Sequence, residues 1–154
     1  MAMLAPRTFS FGGTAAIVTS MGLIVGLGTG TTTVVSALLV IAVADNISDS
    51  LSVHMYQEAE NLEVRAAFRT TLTNFVARLV VALTFVIIVL VLPDPYSAIV
   101  ALGWGFLLLA GLSYILARSR NVSPMPEVGK HLGVAVLVIT ASRVIGSWIL
   151  HYVQ

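Results

Sequence analysis

Five stretches of nearly unbroken apolar residues organise this chain, at about 11–29, 33–55, 71–92, 96–117 and 131–152. Each is close to the roughly 20 helical residues needed to cross about 30 Å of hydrocarbon. The segments between them are Gly28-Thr29-Gly30-Thr31-Thr32, a polar stretch from Tyr56 to Thr70, Pro93-Asp94-Pro95, and Arg118 to Lys130 with Pro124 and Pro126. Glycine and proline thus sit where helices should stop. The pattern predicts an all-α integral membrane bundle of five transmembrane helices, a single domain over 1–154, with no internal repeat.

Composition strengthens that reading. The 154 residues are 58% hydrophobic and only 10% charged, and mean hydropathy is +0.99; soluble domains carry about 25% charged residues. The flanking Lys and Arg are Arg7 before the first stretch, Arg65 and Arg69 between the second and third, and Arg118, Arg120 and Lys130 between the fourth and fifth. The other two connections have none, so the positive-inside rule predicts a cytoplasmic N-terminus and an outward C-terminus. The net charge of +1 and the scattered arginines give no basic face for nucleic acid. With no cysteine, disulfides and thiolate metal sites are excluded. The first ten residues lack a signal-peptide pattern, and the first apolar stretch reads as a retained span.

Charge placement changes the picture more than charge total. Four of the seven acidic residues, Asp45, Asp49, Glu58 and Glu60, fall within 44–60, and the first two lie inside an apolar stretch. A charge near the bilayer centre costs roughly 3 kcal/mol on insertion scales, so it persists with a partner, a wet cavity or a function. At about 100° per residue, Asp45, Asp49, Ser52, Tyr56 and Glu60 share one helix face, with Ser48 at its edge. This polar ladder has the layout of a path for a cation or a proton, and its oxygen ligands suit hard or borderline divalent ions. Two carboxylates one turn apart can also share a proton. His54 points roughly opposite the ladder, and Glu58 follows it at the i,i+4 spacing that can place two ligands on one metal, although a histidine at that depth also serves as a hydrogen-bonded anchor. Glu58, Glu60 and Glu63 read either as a solvated helix end or as a cation-gathering mouth.

The rival to a transport path is internal neutralisation. By helical rise, Arg143 matches the depth of Asp45 and Arg78 that of Asp49, and two ion pairs would satisfy all four charges. A guanidinium beside a divalent-cation site is repulsive. Enzymatic chemistry finds no support: there is no HExxH motif, no nucleophile with an evident base, and no phosphate-binding glycine loop. Gly22 and Gly26, continued by Gly30, and Gly129 with Gly133 have the spacing that lets helices approach closely.

The run Phe11-Gly12-Gly13-Thr14-Ala15-Ala16-Ile17-Val18-Thr19-Ser20-Met21-Gly22-Leu23-Ile24-Val25-Gly26 resembles the first helix of the vacuolar iron transporter family, which has a Phe-Gly-x-Asn-Asp-Gly-Ile-Val-Ser-Thr pattern followed by Leu-x-x-Gly. Asp45, Ser48 and Ser50 fall on that family's second-helix Glu and Ser positions. The resemblance covers roughly the first 60 residues. It implies a homodimer acting as an antiporter that moves Fe2+ or Mn2+ out of the cytoplasm against protons, with no tightly bound cofactor. The family's first-helix Asp corresponds to Ala15 and its second-helix Met to Ile41; its cytoplasmic metal-binding insertion is reduced to the segment from Glu58 to Arg69; Asp49 and Arg143 lie outside its pattern. The expectation is a transporter of the prokaryotic plasma membrane, with Asp45, Asp49, Ser48, Ser52 and Tyr56 along the path and Asp45, Asp49, Glu58, Glu60 and His54 as metal ligands. The alternatives are a non-transporting scaffold or sensor with buried Asp–Arg pairs, and a proton or monovalent-cation pathway.

Overall fold

The computed structural model describes residues 4–28, 31–60 and 63–152, with side chains from Gly12 onward. Five helices account for nearly all of them: α1 (Leu4–Leu27), α2 (Thr31–Ala59), α3 (Val64–Val91), α4 (Tyr96–Ser119) and α5 (Pro124–Tyr152). No strand occurs among the described residues. Helices α2 to α5 are each long and apolar enough to cross a membrane, and Gly12–Leu27 of α1 forms a shorter apolar helix.

The helix ends follow local chemistry. At the end of α3, Leu92 turns to an extended conformation (φ −102°, ψ 136°), as a residue before proline must, and its N–H donates back to the Ile88 carbonyl. Helix α4 ends with Asn121 in the left-handed region (φ 55°), and the Val122 N–H closes onto the Ala117 carbonyl at 3.1 Å, a closure that satisfies carbonyls left open by the last turn. Pro124 opens α5, where a missing N–H costs nothing. Two of the connections drawn between the apolar stretches are largely helical. Helix α2 continues to Ala59 and α3 already begins at Val64, while α5 starts seven residues before the expected span. Polar side chains there are carried on helix extensions.

Helix α1 lies at the centre, packed against α3, α4 and α5; α2 packs mainly on α3 and does not touch α5. The core joins Ile17 and Met21 of α1 to Leu38 of α2, Phe85 of α3 and Leu109 of α4. Outward faces stay apolar: Val40, Ile47 and Leu51 on α2, Ile87 and Val91 on α3, and Leu137, Ile145 and Trp148 on α5 are all exposed. Surfaces of that kind have their natural solvent in a lipid bilayer.

The glycine stripe of α1 is resolved as packing within the chain. A Cβ on Gly22 would sit 3.0 Å from Ser142 Oγ of α5, and one on Gly146 would collide with the Gly26 carbonyl. Backbone-to-backbone approach of this kind needs glycine on both helices. Gly129 and Gly133, with the same spacing, face open space instead. Thr29 and Gly30 lie outside the described residues.

Candidate functional site

Helix α2 carries two polar stripes side by side. One runs at a spacing of four from Val34 through Leu38, Ala42 and Asn46 to Ser50, all buried, and faces α3. The other is the expected ladder. Asp45, Ser48, Ser52 and Tyr56 are exposed and Asp49 is half-buried, which places this stripe at the rim of the α2–α3 seam and outside the bundle interior. The structure therefore gives the ladder no enclosed channel within one chain.

Arg78, on α3, organises the rim. Its side chain is 6% exposed, against 29% for Asp49 and 50% for Asp45. One guanidinium nitrogen, Nη1, donates to Asp49 Oδ2 at 3.2 Å, and the other, Nη2, donates to Asp45 Oδ2. Asn74, one turn earlier on α3, donates from Nδ2 to the same Asp49 oxygen at 3.1 Å. The guanidinium fork thus spans two carboxylates one turn apart, where the usual bidentate arrangement grips one. Asp45 Oδ1 and Asp49 Oδ1 accept no hydrogen bond from any described residue. Once both acids are ionised, a single guanidinium leaves one negative charge uncompensated.

The rival reading of internal neutralisation pairs Asp49 with Arg78 and Asp45 with Arg143. The first forms and the second does not. Arg143 lies on α5, which has no contact with α2, and it lines a different cavity with Gly28, Thr31 and Asp94. The two residues are not at one depth: Arg143 lies beside Thr31 at the start of α2, and Asp45 follows fourteen residues later, about 21 Å by helical rise. Arg78 takes both acids in its place.

The sequence reading missed the seam behind the carboxylates. Asn46 donates from Nδ2 to the Phe75 carbonyl at 2.9 Å. Asn46 Oδ1, Ser50 Oγ, Gln57 Oε1, Asn74 Oδ1 and Arg78 Nε are buried without a hydrogen-bond partner among the described residues. Such groups carry a desolvation penalty of about 1–3 kcal/mol each unless water reaches them. The void beside Asp45, Asn46 and Arg78 measures about 10 Å³, room for about one water. The continuing i,i+4 stripe from Val34 and the Asn74–Arg78 spacing were the available signals. Gly12 packs against this cluster: a Cβ there would strike Asn74 Oδ1 and lie 3.0 Å from Arg78 Cγ.

The remaining expected ligands do not join the carboxylates. His54 Nε2 lies 3.4 Å from Glu58 Oε1, and its Nδ1 lies 3.5 Å from the Thr71 hydroxyl of α3. That is the hydrogen-bonded anchor arrangement, with the i,i+4 pair formed. Glu60 is exposed at the end of α2, and Ser52 spends its hydroxyl proton on the Ser48 carbonyl at 3.0 Å. Among the described residues, no three His, Asp or Glu side chains come together as a metal-holding group. No family model, curated protein or solved structure matches the chain.

Proposed function

We propose that the protein is a membrane cation transporter in which the Asp45–Arg78–Asp49 triad is the charge-exchange point. The observation that carries this reading is the stoichiometry: one guanidinium serves two carboxylates, each keeping an oxygen that takes no donor among the described residues. In a low-dielectric surrounding the leftover negative charge attracts either a proton or a cation, and alternation between the two is the elementary step of proton-coupled exchange. Arg78 holds the acids in place and lowers the site's net charge. It thereby sets how strongly a cation is bound and lets it leave.

The resemblance to vacuolar iron transporters supports Fe2+ or Mn2+ as cargo and efflux from the cytoplasm as the direction. The Lys and Arg distribution supports five spans with a cytoplasmic N-terminus. In that orientation Glu58 and Glu60 lie at the cytoplasmic end of α2, where they raise the local cation concentration. A single chain supplies too few ligands for a divalent ion. A homodimer that apposes two α2 faces would bring two triads together, and Ser48 and Ser52 would add oxygen ligands.

A second reading is favoured by one specific observation. The void beside the triad has room for only about one water, as expected if the triad is a fixed tie between α2 and α3 in a non-transporting scaffold. Proteoliposome flux distinguishes the two. Wild type should move Fe2+ or Mn2+ in the direction opposite to a proton gradient that drives the exchange, with protons moving the other way, and Asp45→Asn with Asp49→Asn should abolish both. Equal metal flux in wild type and the double variant refutes the transport assignment. Proton flux that survives in wild type without any metal dependence moves the function to a proton pathway.

A further inference from the structure

A second polar site lies at the end of the bundle that carries the α1–α2 and α3–α4 connections. A cavity of about 300 Å³ opens there, lined by Ile24, Val25, Gly28, Asp94, Ser97 and Arg143 among others. Two of these residues are ionisable and of opposite sign. They share the cavity without forming an ion pair: Asp94 Oδ1 accepts a hydrogen bond from Ser97 Oγ at 2.8 Å, and Arg143 makes no hydrogen bond or ion pair with any described residue. A guanidinium has five N–H donors in a planar fork, and none of the five meets an acceptor among the described residues.

The backbone is shaped to admit that guanidinium. Gly28, just past the end of α1, has φ 57°, and a Cβ on it would come to 3.2 Å from Arg143 Nη1. The C-terminal end of α1 attracts the positive charge but takes none of its hydrogen bonds. Arg143 shares its cavity with Gly28 and Asp94 of the helix connections and with Thr31 at the start of α2. Such connections end the apolar spans, so it sits near the boundary between hydrocarbon and polar headgroups, beside walls of Ile24, Val25, Val34 and Val89.

We propose that this cavity binds a zwitterion carrying a phosphate and an ammonium, supplied by the headgroup of a phosphatidylethanolamine molecule. The phosphate takes the Arg143 fork in bidentate fashion, and the ammonium donates to the free oxygen of Asp94. An unpaired cation and an unpaired anion facing one cavity select a ligand with both charges over one with either alone. The hydrocarbon walls accommodate the glycerol and the first acyl carbons, which a free solute lacks.

Lipid retention measured by native mass spectrometry tests the assignment, using the full chain in detergent titrated with phosphatidylethanolamine, phosphatidylglycerol or water-soluble glycerophosphoethanolamine. Wild type should retain phosphatidylethanolamine about tenfold better than phosphatidylglycerol, the size of effect one charged hydrogen bond gives. Asp94→Asn should bring the two lipids to parity by weakening the first. Arg143→Gln should lower both about tenfold. If Arg143→Gln does not fold, Arg143→Lys keeps the charge but loses the fork and should still weaken phosphate binding. Equal retention of both lipids by wild type overturns the proposal. So does unchanged retention in the Arg143 variants, or binding of glycerophosphoethanolamine as tight as that of the lipid.

Discussion

Replacing Arg78 by methionine removes the guanidinium from a position where its side chain is 6% exposed and leaves two carboxylates facing the space it filled. Breaking a buried ion pair from one side costs about 3–5 kcal/mol, because the surviving charge stays desolvated. Asp45 is half exposed, so its share is close to the 0–1 kcal/mol of an accessible pair. Asp49, at 29% exposure and 3.2 Å from Nη1, carries the larger part. Asn74 still donates to Asp49 at 3.1 Å and softens the loss. The expected cost is about 3 kcal/mol. Combining Arg78→Met with Asp45→Asn and Asp49→Asn removes the stranded charges and should return the protein to within about 1 kcal/mol of wild type. Reversible unfolding in mixed detergent micelles, followed by helical circular dichroism, measures both values. A single variant within about 1 kcal/mol of wild type, or a triple variant no better than the single, refutes the claim that this arginine is the hub of the α2–α3 seam.

Further outcomes follow from the packing. Gly146→Ala forces a methyl into the Gly26 carbonyl, a backbone atom with no freedom to turn aside, so α1 and α5 must separate at a cost of about 1–3 kcal/mol; Gly133→Ala, facing open space, should match wild type or gain slightly in the same unfolding assay. Asn46→Leu gives up one hydrogen bond to the Phe75 carbonyl but also removes a buried amide oxygen that has no partner, and its stability should stay within about 1 kcal/mol of wild type. Asn74→Leu likewise removes an unpartnered amide oxygen but takes a donor from Asp49; a bond to a charged group is worth about 1.5–3 kcal/mol, so this variant should be the less stable of the two. Equal stability of the two asparagine variants refutes a special role for the Asn74–Asp49 hydrogen bond.

The sequence determined the class of this protein because one local property dominates: runs of apolar residues punctuated by Gly and Pro have no folded arrangement in water and are stable as helices in lipid. It also marked Asp45 and Asp49 as the charges needing explanation, and the Asp49–Arg78 tie was legible from helical rise alone. Helix ends were less legible, since the polar segments flanking α2, α3 and α5 are helical too, and hydropathy reports burial in lipid and not backbone conformation. Tertiary structure decided what periodicity cannot: which face of α2 meets α3, and which helices are neighbours. The Asp45–Arg143 pairing failed because rise counted along separate helices does not fix their relative height or their order in the bundle: contacts such as Gly26 against Gly146 set these, and Arg143 comes to lie beside the start of α2, fourteen residues from Asp45. The same ordering puts Asn46 and Ser50, not the carboxylates, in the buried seam. It lets one arginine serve two acids and leaves the other facing Asp94 across a cavity.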